Sequence, residues 1–154
     1  MKTKRRSAIK KMFTTMLGIT GVGLAAKAKS VSSDEKEVFN VTSVQKGPIF
    51  SASTKFGNLV FISGKGAHVA PFTIENHTEI VLKELEEELI RAGSSMDKVL
   101  KVGVFLNDIA DYKKMNEIYA GRFGMNPPVR TTVAVAKGGV PGDSIVEMDA
   151  IAYI

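Results

Sequence analysis

An α+β fold with the element order β-β-β-α-β-α-β-β, both helices on one face of a mixed sheet, is what this 154-residue chain predicts. Three observations carry it. Alternating, β-branched runs are separated by glycine-bearing turn signals; two segments repeat their apolar residues at helical spacing; and a strand-like run follows each helical segment, so helices and strands interleave. At 44% hydrophobic and 24% charged, the chain has material for one compact core. It holds no Cys, which removes structural disulfides, thiolate catalysis and Cys-ligated metal sites, and two His give a metal site little to build on.

Seven of the 21 basic residues and none of the 16 acids fall within residues 1–28, leaving 14 basic against 16 acidic side chains beyond them. The body is therefore near neutral and lacks the basic footprint of a phosphate-backbone binder, so no nucleic-acid partner is expected. A basic head, an uncharged run over 12–26 and the small-x-small triplet Ala26-Lys27-Ala28 read as an export signal over 1–28, removed after Ala28. That run is short of the roughly 20 residues a membrane span needs, so no stable anchor is expected after removal. Lys4-Arg5-Arg6-Ser7-Ala8-Ile9-Lys10 resembles the twin-arginine export motif. Ala8 stands where Phe is usual and Lys4 where Ser or Thr is usual, which leaves the general secretory route open, and an uncleaved basic tail is the other alternative. The expected location is the periplasm.

Residues 29–36 are a polar linker, and the domain is expected over 37–154. Val38, Asn40 and Thr42 alternate with Phe39, Val41 and Ser43 in a first strand that ends at Lys46-Gly47-Pro48. A short second strand, 50–54, turns through Phe56-Gly57-Asn58 into a third at 59–64. Ile74, Val81, Leu85 and Leu89 then predict a helix of about five turns, N-capped by Thr73 and stopped by Gly93, with Glu84, Glu86, Glu87 and Glu88 mostly outward. Strand four, 99–106, places Leu100, Val102, Val104 and Leu106 on one face. A second helix over about 111–123 turns Tyr112, Met115, Ile118, Tyr119 and Phe123 inward and stops at Gly124. Pro127-Pro128 forces an extended entry into strand five, 129–136, and a Gly/Pro loop over 137–143 precedes strand six, 144–153.

Strand six is apolar on both parities: Val146, Met148, Ala150, Ala152 and Ile154 on one, Ile145, Ile151 and Tyr153 on the other. With helices for one face only, the open face calls for a second copy of the chain, and the parity of Val146, Met148, Ala150 and Ala152 is assigned to that contact. Glu147 and Asp149 interrupt the strand together, and carboxylates there must be paired or near water. A hairpin-like pairing of strands five and six would bring Arg130 to the face of Glu147, as a structural ion pair or as a ligand site. Ser94-Ser95 reads as a helix–strand loop, Gly64-Lys65-Gly66 lacks the length of a phosphate loop, and His68 and His77 read as surface or half-buried residues.

Six blocks, Val60-Phe61-Ile62-Ser63-Gly64, Ala92-Gly93-Ser94-Ser95-Met96-Asp97-Lys98-Val99, Val104-Phe105-Leu106, Met115-Asn116-Glu117-Ile118-Tyr119, Pro127-Pro128-Val129-Arg130-Thr131-Thr132-Val133 and Val146-Glu147-Met148-Asp149-Ala150-Ile151-Ala152, stand in the order and spacing of the RidA (YjgF) family, which the chain resembles over about 39–153. The resemblance implies a chorismate-mutase-like fold, a homotrimer with a small-molecule cleft at each subunit interface, and hydrolysis of reactive enamine/imine acids such as 2-aminoacrylate to 2-oxo acids and ammonia. On it, Arg130 grips the substrate carboxylate through a planar fork and Glu147 activates the attacking water, while Ile49, Lys65, Thr132 and Asn116 line the substrate site. No metal and no cofactor is implied. The alternative is a trimeric module that binds a carboxylated metabolite without turnover. Departures from the family pattern favour a changed substrate or that module: Ile49 replaces a pocket tyrosine, Lys65 replaces a common Gln, Thr132 stands where Cys is frequent, and Gly138-Gly139 lengthens the last loop.

Overall fold

The computed structural model describes residues 35–154, so the signal predicted over 1–28 and most of the 29–36 linker lie outside the described residues. Strands β1 (Glu37–Val44), β2 (Gly47–Phe56), β3 (Leu59–Gly66), β4 (Val99–Leu106), β5 (Val129–Ala134) and β6 (Val146–Tyr153) form one sheet in the order β1-β2-β3-β6-β4-β5, and helices α1 (Ile74–Arg91) and α2 (Tyr112–Tyr119) follow β3 and β4. This is the predicted element order. Every neighbouring pair is antiparallel except β4 and β5, whose parallel pairing requires the crossover that α2 provides.

Local signals set the element ends. Thr73 Oγ1 accepts the Asn76 N–H at 3.3 Å as the N-cap of α1. At its other end Gly93, at φ +85°, lets Gly93 N–H reach the Ile90 carbonyl and Ser94 N–H the Leu89 carbonyl, a Schellman closure. Gly57-Asn58 closes the β2–β3 hairpin. Val81, Leu82, Leu85 and Leu89 of α1 and Met115 and Tyr119 of α2 pack on Val60, Ile62, Val102, Val104, Val146, Met148 and Ala150, so both helices cover one face.

Several expectations change. The β5–β6 hairpin does not form: β4 lies between them, because β5 returns beside β4 through α2 and β6 takes the remaining place next to β3. Val146, Met148, Ala150 and Ala152 are buried under the helices and are not the open parity; Glu147, Asp149 and Ile151 are. A bulge at Leu100 sends Val99 into the core and leaves Leu100 exposed. Tyr112 is exposed at the start of α2, and that helix ends at Tyr119 because Ala120 leaves helical geometry. His77 is fully buried, its Nε2 against the Val69 carbonyl and its Nδ1 accepting the Ile145 N–H. Glu88 is buried as well, since it falls seven residues after Val81 on the inward stripe of α1. The open face exposes apolar surface at Phe61 (40%), Val133 (42%) and Val129 (71%).

Candidate functional site

Residues pointing to one face share register across the sheet, and this separates the two central candidates. Arg130 is paired with Val102, whose side chain is in the helix-covered core, whereas Glu147 is paired with Phe105 on the open face. Two strand spacings and three residues of offset put their backbones on the order of 14 Å apart, on opposite faces. No ion pair joins them, so the structural-bridge reading falls, and within one chain they form two half-sites.

The first half-site lies between β5 and α2. The Arg130 guanidinium carbon stands 4.6 Å from the Tyr119 ring centre and 5.7 Å from that of Tyr112, and its Nη2 donates to the Tyr112 hydroxyl at 3.2 Å. Among the described residues Arg130 has no carboxylate partner. Thr132 points to the same face two residues on, and its Oγ1, like the Tyr119 hydroxyl, is buried without a hydrogen-bond partner. Asn116 follows Tyr112 by one turn of α2. The Asn116 amide, and after it the Arg130 charge, hold the Tyr112 phenol below its usual range. Burial pushes the Tyr119 phenol up against the opposing pull of Arg130. A cation fixed by aromatic rings, with two idle hydroxyls beside it, is chemically an anion receptor. Tyr112 and Tyr119 are the members that sequence reasoning misses; their spacing of seven, with Asn116 between, is the signal that would place them on one face of α2.

The second half-site is on the open face. Glu147 folds across Gly64, where any Cβ would collide with its carboxylate, and Asp149 folds across Gly103, accepting that residue's N–H on Oδ1 at 3.0 Å. Each carboxylate thus lies in a trough made by a neighbouring strand's glycine. A cavity of about 120 Å³ opens beside Glu147, walled by Phe105, Val135 and Gly139-Val140-Pro141. The lengthened loop forms that wall because Gly138 adopts φ +75° and a side chain at Gly139 would meet the Ala136 carbonyl at 2.7 Å. Asn107 holds the loop, accepting the Val140 N–H at 3.3 Å and donating to the Ser144 carbonyl at 2.9 Å.

Two candidates lie elsewhere. Ile49 sits exposed in a bulge at the far end of the β1–β2 hairpin, remote in sequence pairing from both half-sites. Lys65 turns to the helix side, its Nζ 3.8 Å from Glu88 Oε2. Glu88 also accepts from Ser53 Oγ at 2.7 Å and Arg91 Nη1 at 2.6 Å. Burial alone would push the Glu88 carboxyl up; Ser53, Lys65 and Arg91 outweigh it and hold it down.

A family profile described as Endoribonuclease L-PSP matches residues 44–154. A RutC family protein of Pyrococcus horikoshii is 38% identical over 126 residues, 77% of this chain and 98% of the relative. Reactive Intermediate Deaminase A, chloroplastic, of Arabidopsis thaliana is 37% identical over 141 residues, 84% of this chain and 72% of that protein. Among solved structures, a protein of unknown function of the conserved Rid family from Yersinia pestis superposes with a TM-score of 0.69 at 28% identity, covering 78% of this chain and 100% of the other. Yeast Mmf1 gives 0.65 at 27%, covering 75% and 92%. Two helices on one face of a mixed six-stranded sheet is the chorismate-mutase-like architecture that these chains share.

Proposed function

This chain belongs to the Endoribonuclease L-PSP family, with the YjgF, RutC and Rid proteins, and from that membership we propose that it hydrolyses reactive enamine/imine acids of the 2-aminoacrylate kind to 2-oxo acids and ammonia. The observation that supports this reading best is Arg130, a guanidinium with no carboxylate partner among the described residues, fixed over two tyrosine rings beside the unpartnered Thr132 hydroxyl. Arg130 takes the substrate carboxylate in a bidentate fork, with Thr132 and Asn116 as further polar contacts. Glu147 removes a proton from the water that attacks the C=N carbon.

Because Arg130 and Glu147 face opposite ways in one chain, a site using both is assembled from two copies, Arg130 from one and Glu147 from its neighbour. The RidA resemblance supplies three as the number of copies, and the exposed apolar open face supplies the contact. The basic head and uncharged run of residues 1–28 support export to the periplasm, where the substrate would be an imino acid formed or delivered outside the cytoplasm.

A second reading is a carboxylate-binding module without turnover, for which the Arg130 receptor suffices by itself. Purified protein is assayed for 2-oxo acid formation from enzymatically generated imino acids, with 2-oxobutanoate binding followed by calorimetry. Deamination abolished in Arg130→Ala and in Glu147→Gln, with the latter still binding 2-oxobutanoate, supports the enzyme. Binding without turnover in the unaltered protein selects the module, and neither binding nor turnover sinks both.

A further inference from the structure

The Tyr112 hydroxyl is the one polar group at the Arg130 half-site that is both exposed to an incoming ligand and already engaged by the guanidinium. We propose that Tyr112 is the acid that protonates the substrate nitrogen. This rests on the deaminase reading above and adds a catalytic residue to it.

The geometry carries the argument in three steps. Arg130 Nη2 donates to the phenol oxygen at 3.2 Å, so the phenol is the acceptor in that contact and its own proton is directed elsewhere. Tyr112 is exposed, and its hydroxyl lies beside the guanidinium that would grip a carboxylate. In a 2-imino acid the nitrogen and the nearer carboxylate oxygen, when they lie on the same side, are separated by about one hydrogen-bond length, comparable to the spacing between the Arg130 nitrogen and the phenol oxygen. An acid held by Arg130 therefore presents its nitrogen to Tyr112, whereas an acid with its nitrogen one carbon further away does not. The phenolate left behind is stabilised by the donors that face it, Asn116 from α2 and Arg130 from β5, the same two groups that hold this phenol below its usual range.

The step balances with the groups named. Glu147 takes a proton from water as the oxygen bonds to the C=N carbon; the C=N π pair moves to nitrogen, which takes the Tyr112 proton, giving a neutral carbinolamine. On breakdown the phenolate removes the hydroxyl proton as C=O forms, the C–N bond breaks, and nitrogen takes the proton from Glu147 and leaves as ammonia. Both side chains are restored, and water plus imine become ketone plus ammonia.

Tyr112→Phe keeps the ring under Arg130 and removes only the hydroxyl. Turnover of 2-iminobutanoate should fall by about 100-fold, in the range of a lost general acid, while calorimetric affinity for 2-oxobutanoate, held by Arg130 and losing only one hydrogen bond to its ketone oxygen, falls by no more than about tenfold. Arg130→Ala, run beside it, should lose that affinity. A Tyr112→Phe protein with unaltered kcat overturns the acid role and leaves the deaminase reading standing. A Tyr112→Phe protein that loses 2-oxobutanoate affinity in parallel with rate also overturns it, since the hydroxyl would then only position Arg130. Absence of turnover in the unaltered protein overturns the deaminase reading and this inference together.

Discussion

Glu88→Gln tests whether the buried carboxylate of α1 holds the sheet beneath Glu147. Glu88 is 1% exposed and gathers Ser53 from β2, Lys65 from β3 and Arg91 from its own helix. Lys65 directly follows Gly64, the residue over which Glu147 lies, so the network fixes the bulged end of β3 from the opposite side. A hydrogen bond to a charged acceptor is worth about 1.5–3 kcal/mol, and glutamine keeps a carbonyl for Ser53, so roughly half of that survives. Lys65, left largely buried beside a neutral amide, adds on the order of 1–2 kcal/mol. Arg91 is half exposed, and solvent screening limits its share to less than about 1 kcal/mol. The total is about 3 kcal/mol, a fall of about 10 °C in Tm for a domain of this size. Thermal unfolding by circular dichroism at fixed protein concentration, at pH 7 and pH 4, reads it. The folded carboxyl is held down, so its contribution is complete above the unfolded value, near pH 4.5, and is lost as pH falls through the lower folded one; the gap between the two proteins should narrow in acid. A Glu88→Gln protein within about 0.5 kcal/mol of the unaltered one at pH 7, or a gap that does not change with pH, would refute the reasoning.

Two further outcomes follow from the open face. Gly64→Ala places a methyl where the Glu147 carboxylate lies, so turnover should drop at least about tenfold while 2-oxobutanoate affinity is kept, as steady-state kinetics beside calorimetry would show. On the two-copy reading, Val133→Asp sets a charge on exposed apolar surface and should leave single copies by light scattering with the circular dichroism spectrum unchanged; Ala150→Glu, on the parity beneath the helices, should unfold the chain instead.

Much of the fold is legible because its determinants are local. Thr73 needs only Asn76 three residues on to cap α1, Gly93 needs only its own φ to end it, and Gly57-Asn58 turns a hairpin between strands that follow one another. Strand order is not local in this sense. Val129–Ala134 and Val146–Tyr153 are consecutive in sequence, which favours pairing them, yet eleven residues separate them, too many for a tight hairpin. The chain segment from β4 through α2 to β5 has the form of a crossover, which sets β5 parallel beside β4 and leaves β6 to the inner edge.

The half-sites were hidden by a single ambiguity on β6. Both of its parities are apolar, so periodicity alone cannot say which lies beneath the helices. The carboxylates decide it: Glu147 and Asp149 cannot share the closed core with Val81 and Leu85 without partners, and neighbouring glycines give them room only on the other face. Once their parity is open, register across β4 sends Arg130 to the helix side, and the residues that surround it must come from α2. Tyr112, Asn116 and Tyr119 then follow from helical spacing, whereas Lys65 drops out because it is needed against Glu88. On the deaminase reading proposed above, the same step replaces an ion pair within one chain by a site drawn from two copies: Arg130 would receive the carboxylate on one subunit, and Glu147, which faces the other way, would act on the adjacent carbon from the open face of another.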